Sequence, residues 1–433
     1  MKESVLLLMH QGRSFTAEVS EAVRSHGLSL VALSSRPEKT QALESIKPFL
    51  EDCIVTERDQ LCVEDLNGIV ATFACRGHSI QAALATFEGY RLLMAALNGK
   101  LGAPDSRAEP LALCLNKYNL RRFLVERGLS SVRCHRLHAH DRPRLDPVTW
   151  FVKPVRGAAS FAAFILKDLK DLDDLPAIQR QMRNDHRMAA IFMNEYDFLV
   201  EEYIEGPEFS FETLVVDDAY HVCVQEKARV DRLERTTLEC MSISPPISVD
   251  RAVVMAGADF VTRCLAEVGV TRGAFHVEAK YWTSKARWEI VEINPRMGGS
   301  LINASVKSVT GTSILDLWVD SLLTRGDAEA DELRRRLQRI SQLSSLRFGT
   351  ASRATVFLSK YGTKGRTIES IAFQPSRKPD IVKIHVEAGT TLEDSDRAIC
   401  LMDALWEVDY AALSDEVEFL DRHATEHFHV QYR

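Results

Sequence analysis

The segment Gly273–Ser300, GAFHVEAKYWTSKARWEIVEINPRMGGS, constrains this chain more than any other stretch. It reads as an antiparallel hairpin of two strands, Ala274–Trp282 and Trp288–Asn294. Side chains alternate along a strand, so His276, Glu278 and Lys280 share one face of the first and Ile290, Glu292 and Asn294 share one face of the second. With the loop centred on Lys285, Glu278 falls opposite Glu292 and His276 opposite Asn294. Opposed residues have Cβ atoms roughly 4.5–5.5 Å apart. Carboxylates that close repel, so either one holds a proton or a cation sits between them. A Glu/Glu/Asn oxygen set suits Mg²⁺, which shares its shell with water and substrate phosphates. The plain alternative is an exposed hairpin whose carboxylates face water. The Asn-Pro-Arg-Met-Gly-Gly-Ser that follows argues against it. Glycines let backbone approach a ligand, and Arg296 can fork onto a carboxylate or a phosphoryl oxygen.

The rest of the chain bounds the setting. At 433 residues there is room for two to four domains. A net charge of −7 argues against a general nucleic-acid binder, though not against a local nucleotide pocket. The nine cysteines are odd in number and form no CxxC or Cys/His cluster in the sequence, which suits free, mostly buried thiols in a reducing compartment. The opening MKESVLLLMHQGRS has too short an apolar run for a signal peptide, and no segment is long and apolar enough for a membrane helix, so a cytoplasmic protein is expected.

Strand Ser4–Met9, helix Phe15–His26 and strand Leu28–Leu33 make a βαβ pattern, hence a parallel sheet at the N-terminus. The turn His10–Ser14 lacks GxGxxG, so a dinucleotide fingerprint is absent and a dehydrogenase is a weak reading. A helix over Asn116–Gly128, strands at Thr149–Val155 and Phe161–Leu166, and a polar helix over Asp171–Asn184 follow. Strands Phe198–Ile204, Phe209–Val216 and Tyr220–Lys227 lead into Arg229–Ser244, which reads as an irregular surface loop. Helices are expected over Ala252–Val268 and Thr312–Thr324. Residues 326–345 read as a charged link to a last domain with strands at Ala354–Ser359 and Ile381–Val386.

Other constellations carry less alone. Lys117 and Arg121 lie one helical turn apart in NKYNLRRFLVERGL, which also fits a solvated helix face. Lys153, in the apolar strand FVKP, needs an anionic partner unless it sits at an edge. LVEEYIEGPEFS (199–210) fits an edge strand ending in a Gly-Pro turn, and Lys227 ends a later strand.

Taken with EINPRMGG, this order of landmarks resembles the ATP-grasp superfamily over about residues 115–325. Within it, the pattern is most similar to carboxylate–amine ligases of the L-amino-acid ligase kind. The resemblance implies an α/β fold with four parts: an N-terminal α/β domain (1–112), a helix plus lid subdomain (113–200), an ATP-grasp core on an antiparallel sheet (201–330) and a small C-terminal α+β subdomain (331–433). It implies ATP and Mg²⁺, two ions with Mn²⁺ as an alternative, held by Glu278, Glu292 and Asn294. Lys117 and Lys153 would reach the phosphates, with Ser160 in the loop covering them. Glu201, Glu202, Tyr203 and Ile204 would form the hinge, with the backbone of Glu202 to Ile204 recognising the adenine edge, and Glu208 would hold the ribose. Lys227 and His276 are candidate phosphate or substrate contacts. Arg296 would act with Lys117 and Lys153 in catalysis and, with Gly298, Gly299 and Ser300, bind the substrate carboxylate; Ser300 would begin a helix.

One departure stands out. The covering loop VRGAASFAA has Gly157 alone where the family has two or three glycines, which implies a stiffer loop with fewer N–H donors for phosphate. Segments 130–198 and 229–244 are the candidate lids. The implied activity joins a small amino-acid-like carboxylate to an amine through an acyl phosphate, in a homodimer, without nucleic-acid or membrane partners. Alternatives are another acceptor, bicarbonate or an acyl carrier protein, and a non-catalytic ATP-binding protein. The last predicts loss of metal ligands, yet Glu278, Glu292, Asn294 and Arg296 are all present.

Overall fold

The computed structural model describes residues 1–12, 14–38, 41–142, 146–233, 235–347 and 352–433. Strands β1 (Lys2–Met9), β2 (Ser29–Ser34), β3 (Asp52–Val55) and β4 (His78–Leu84) form a parallel sheet in the order β3-β2-β1-β4. β1 and β2 are almost continuous apolar runs, as a sheet covered by helices on both faces requires. The helix after β1 spans Thr16–Ser25. Arg13 of the preceding turn lies outside the described residues.

A second sheet holds β5 (Cys134–Leu137), β6 (Trp150–Pro154), β7 (Phe164–Leu166) and β8 (Phe198–Glu202), ordered β5-β8-β6-β7 and antiparallel. The helix Leu175–Asn184 covers it, burying Leu175, Ile178 and Met182. β7 is shorter than expected, because Phe161 and Ala162 stay in the preceding loop, where Ala162 has φ +47°.

The third sheet carries the hairpin. It contains β9 (Glu208–Val216), β10 (Asp218–Leu233), β11 (Thr236–Ser244), β12 (Arg272–Trp282), β13 (Arg287–Asn294) and β14 (Arg353–Tyr361). β15 (Ile368–Phe373) pairs with β18 (Phe428–Tyr432), while β16 (Ile381–Ile384) and β17 (Cys400–Asp409) join the large sheet. Its order is β13-β12-β9-β10-β11-β14-β17-β16, so strands on both sides of residue 331 share one ladder. The helix Arg251–Val268 packs on it so closely that a Cβ on Gly257 would meet the Trp288 ring at 2.6 Å.

Two expectations are corrected. Residues 229–244 are not an irregular loop: β10 and β11 pair as an antiparallel ribbon there, and Glu234 lies outside the described residues. Bulges between Glu226 and Val230 break the alternation that would have announced it. Residues 326–345 are not a link but lie in the helix Gly326–Arg347, buried through Ala330, Leu333 and Leu337. Its charges pair along its own surface, Asp331 with Arg334 and Glu332 with Arg335.

Candidate active site

β12 and β13 pair with Glu278 opposite Glu292 and His276 opposite Asn294, as expected, although next to the loop the register is one residue off the expectation, with Trp282 opposite Arg287. One residue intrudes: a bulge between Glu278 and Ala279 leaves Val291 without a partner, so Ala279 faces Ile290. Both carboxylates open onto a cavity of about 390 Å³. Lys117, Lys153, Ser160, Glu208, His276, Arg296, Gly299 and Ser300 line the same cavity. A smaller cavity of about 190 Å³, lined by Tyr203, Gly206, Glu208, Lys227, Arg232 and Lys280, shares the walls Phe151, Glu208 and Thr237 with it. At Gly206 (φ +111°) a Cβ would stand 2.1 Å from the carbonyl of Tyr281, so only glycine makes this turn.

Lysines neutralise the acids. Lys117, held at the N-terminus of the helix Lys117–Glu126 by the Asn116 cap, lies 2.9 Å from Glu292 and donates to the Gly157 carbonyl at 2.7 Å. Burial would raise the Glu292 carboxyl, but Lys117 and a donated bond from the Asn294 amide (2.9 Å) outweigh it and hold it far below the usual range. Lys153 pairs with Glu201 at 2.7 Å and donates to the Val291 carbonyl at 3.2 Å, so the bulged residue receives a lysine. Lys227 sits 2.7 Å from Glu208, 2.7 Å from Glu239 and 3.0 Å from Glu278. Against their burial, Lys227 and Lys280 bring Glu208 down to about 2, while Glu239 is raised by burial.

His276 does not stand alone on its strand. Its Nδ1 is 2.5 Å from Glu212, a fully buried carboxylate on β9, and its Nε2 is 3.0 Å from Glu278. Burial opposes protonation, yet Glu212 and Glu278 push the imidazole up to about 10. The raised value adds stability that is complete below pH 6.5 and is lost as pH rises through about 10. His276→Gln should therefore flatten the fall in metal-free unfolding free energy between these pH values, measured by urea denaturation. Equal slopes for variant and parent would contradict the pairing.

Several expected residues have side chains engaged in the fold. The Glu201 side chain lies between Lys153 and Arg121, the latter at 2.8 Å, and Glu202 pairs with Arg133 and Lys285. Ile204 packs with Val132 and Trp282. Of these hinge residues only Tyr203 lines either of the two cavities. Asn294 is buried beside Glu292, and Gly298 lies beneath Ile302 and Glu212. Ser300 does not begin a helix: it has φ +51°, the next helix is Ile302–Thr310, and its hydroxyl donates to Asp403.

Other groups gave no readable signal. Glu88, from the N-terminal part of the chain, meets Arg296 Nε at 3.3 Å, and burial raises its carboxyl. Arg91 donates to the Pro295 carbonyl at 3.0 Å and pairs with Asp105. Phe357, Ser359 and Tyr361 of β14 wall the far end of the cavity with Cys400. Only Glu212 had left a trace, as an acid in the apolar run FSFETLVV. The loop over the cavity carries Ala159 (φ +53°) and Ser160 (φ +51°) in the left-handed region, at about 1–2 kcal/mol each. The amides of Phe161, Ala162 and Ala163 are engaged by Ala158, Asp396 and Ser160 carbonyls.

Residues 147–304 match the ATP-grasp domain family, and this span holds the hairpin, the covering loop and the lysine strand. The chain carries an ATP-grasp domain. The fold extends that likeness beyond the matched residues. L-amino acid ligase from Bacillus licheniformis superposes with TM-score 0.76 at 18% identity, over 100% of this chain and 99% of that one. Phosphoribosylglycinamide synthetase from Anaerococcus prevotii gives 0.65 at 13% identity, over 100% of each chain. The biotin carboxylase domain of 2-oxoglutarate carboxylase from Hydrogenobacter thermophilus gives 0.65 at 14%, over 100% of this chain and 91% of that one. In sequence, carnosine synthase 1 from Homo sapiens is 23% identical over 330 residues, 73% of this chain. The chain spans 39% of the length of that relative. Nine cysteines are unbridged, and no helix among the described residues is long and apolar enough to cross a membrane.

Proposed function

We propose that this ATP-grasp protein is an ATP-dependent carboxylate–amine ligase acting on amino-acid-type substrates through an acyl phosphate. The observation that carries the reading is Glu278 facing Glu292 on one cavity wall, with Lys117, Lys153 and Arg296 around the same space. The donor set fits Mg²⁺: two opposed carboxylates and an adjacent amide already need a lysine to neutralise them. Glu278, Glu292 and Asn294 would hold it. When bound, Mg²⁺ would screen the β- and γ-phosphates and favour in-line transfer.

The chain's own groups do the rest. Lys117 exchanges Glu292 for phosphate oxygens, and Lys153 offers its ammonium beside them. The smaller cavity, with Glu208 at its edge and Tyr203 in its wall, takes the nucleoside. Arg296, aimed by Glu88, draws one oxygen of the substrate carboxylate toward the γ-phosphoryl group. That oxygen bonds to phosphorus as the bond to ADP breaks. The amine nitrogen then bonds to the acyl carbon, phosphate leaves, and one proton is released. The loop 157–163 and the ribbon residues Thr237 and Glu239 shield the acyl phosphate from water.

A phosphate-release screen over amino-acid pairs, with products read by mass spectrometry, tests this. Amide formation with ADP release supports it. Release that requires bicarbonate or an acyl carrier protein would move the acceptor, and binding without release would remove the enzyme. Lys153→Met should raise KM for ATP about 10- to 100-fold, with a smaller change in kcat, since a charged hydrogen bond is worth about 1.5–3 kcal/mol. An unchanged KM would take Lys153 off the nucleotide.

A further inference from the structure

Two groups of metal-ligating side chains stand out among the described residues. In the first, Glu208, Glu239 and Glu278, the centre is filled by the Lys227 ammonium. The second, His385, Cys400 and Asp403, has no lysine or arginine in it. Asp403 is only 2% exposed, yet among the described residues its one ion-pair partner is His385, Nε2 at 2.7 Å. The other groups on its carboxylate are neutral: the Ser359 hydroxyl (2.6 Å), the Ser300 hydroxyl and the Cys400 thiol (3.2 Å). A buried carboxylate without a fixed cation is costly, and a metal ion is one way to supply the charge.

We propose that His385 Nε2, Cys400 Sγ and one Asp403 oxygen form a site for a thiophilic divalent cation, Zn²⁺ before others. The three ligand atoms lie within 4.8 Å of one another. Zinc bonds of about 2.0–2.3 Å imply ligand separations of roughly 3.3–3.7 Å, so shifts of about 1 Å complete the set. Thiolate and imidazole select Zn²⁺ or Co²⁺ over Mg²⁺. The Ser300 hydroxyl donates to one Asp403 oxygen and the Ser359 hydroxyl to the other, which fixes the carboxylate's orientation as hydrogen-bond donors around metal ligands do. Cys400 lines the large cavity and His385 is 37% exposed on its side chain, so an ion reaches the group without unfolding. Binding exchanges the thiol S–H for an S–metal bond and releases one proton; the His385 proton moves to Nδ1. Ser300 ties the site to the substrate turn, and that consequence alone rests on the ligase reading.

The test is a Co²⁺ titration of the full chain, followed by thiolate-to-cobalt charge-transfer absorption in the near ultraviolet and by proton release. One ion and one proton per chain are expected, in competition with Zn²⁺ and not with Mg²⁺. Cys400→Ser should abolish the band, and His385→Ala, at a half-exposed position, should weaken binding at least tenfold with the fold intact by circular dichroism. A missing band, or a band that persists in Cys400→Ser, overturns the site. Neither readout involves turnover, so failure of the ligase activity would leave the result interpretable.

Discussion

Glu292→Gln is expected to lower ATP-dependent amide formation by about 10³-fold, at the scale found when a preorganised electrostatic partner is removed from a transition state. Gln keeps the shape and one oxygen but removes the charge that Lys117 faces at 2.9 Å and that Asn294 supports from its amide. The loss should fall on kcat, because the smaller cavity proposed for the nucleoside, with Tyr203 and Glu208 in its wall, is not lined by Glu292. Measured ADP release with saturating ATP and Mg²⁺ decides it. Turnover within tenfold of the parent would mean that the opposed carboxylates are structural.

Arg91→Leu is expected to destabilise the chain by about 3–5 kcal/mol, the range for breaking a buried ion pair on one side. Arg91 is 1% exposed and gives two guanidinium nitrogens to Asp105, itself 4% exposed, and a third to the Pro295 carbonyl. Removing it leaves the Asp105 carboxylate without its guanidinium partner and takes away one tie of the Asn-Pro-Arg turn to the N-terminal part of the chain, with the Glu88–Arg296 pair remaining. Urea denaturation should show a lower midpoint. A loss under about 1 kcal/mol would contradict a stabilising role for the Arg91–Asp105 pair.

Much of this was legible, for physical reasons that also explain the gaps. A loop centred on Lys285 puts Glu278 opposite Glu292, but their meeting depends on the Val291 bulge: the loop-side pairs, Trp282 with Arg287 to Ala279 with Ile290, would by themselves have set Glu278 against Val291. The bulge itself was not legible, since nothing in WEIVEIN (288–294) marks an extra residue. The ribbon 229–244 escaped notice because its charges pair sideways, Arg229 with Asp231 and Lys227 with Glu239, and so look like a solvated loop. Glu88, Arg91 and Asp403 reach the site from remote parts of the chain, and only tertiary packing brings them to Arg296, Pro295 and Ser300. The helix 326–347 hides its apolar stripe of Ala330, Leu333 and Leu337 among charges.

The most direct measurement is isotopic. With the substrate carboxylate labelled with ¹⁸O, transfer through an acyl phosphate carries one labelled oxygen into the released phosphate, with ADP as the other product. Amide product accompanied by unlabelled phosphate, or by AMP and pyrophosphate, would contradict a ligase that activates its carboxylate beneath Glu278 and Glu292.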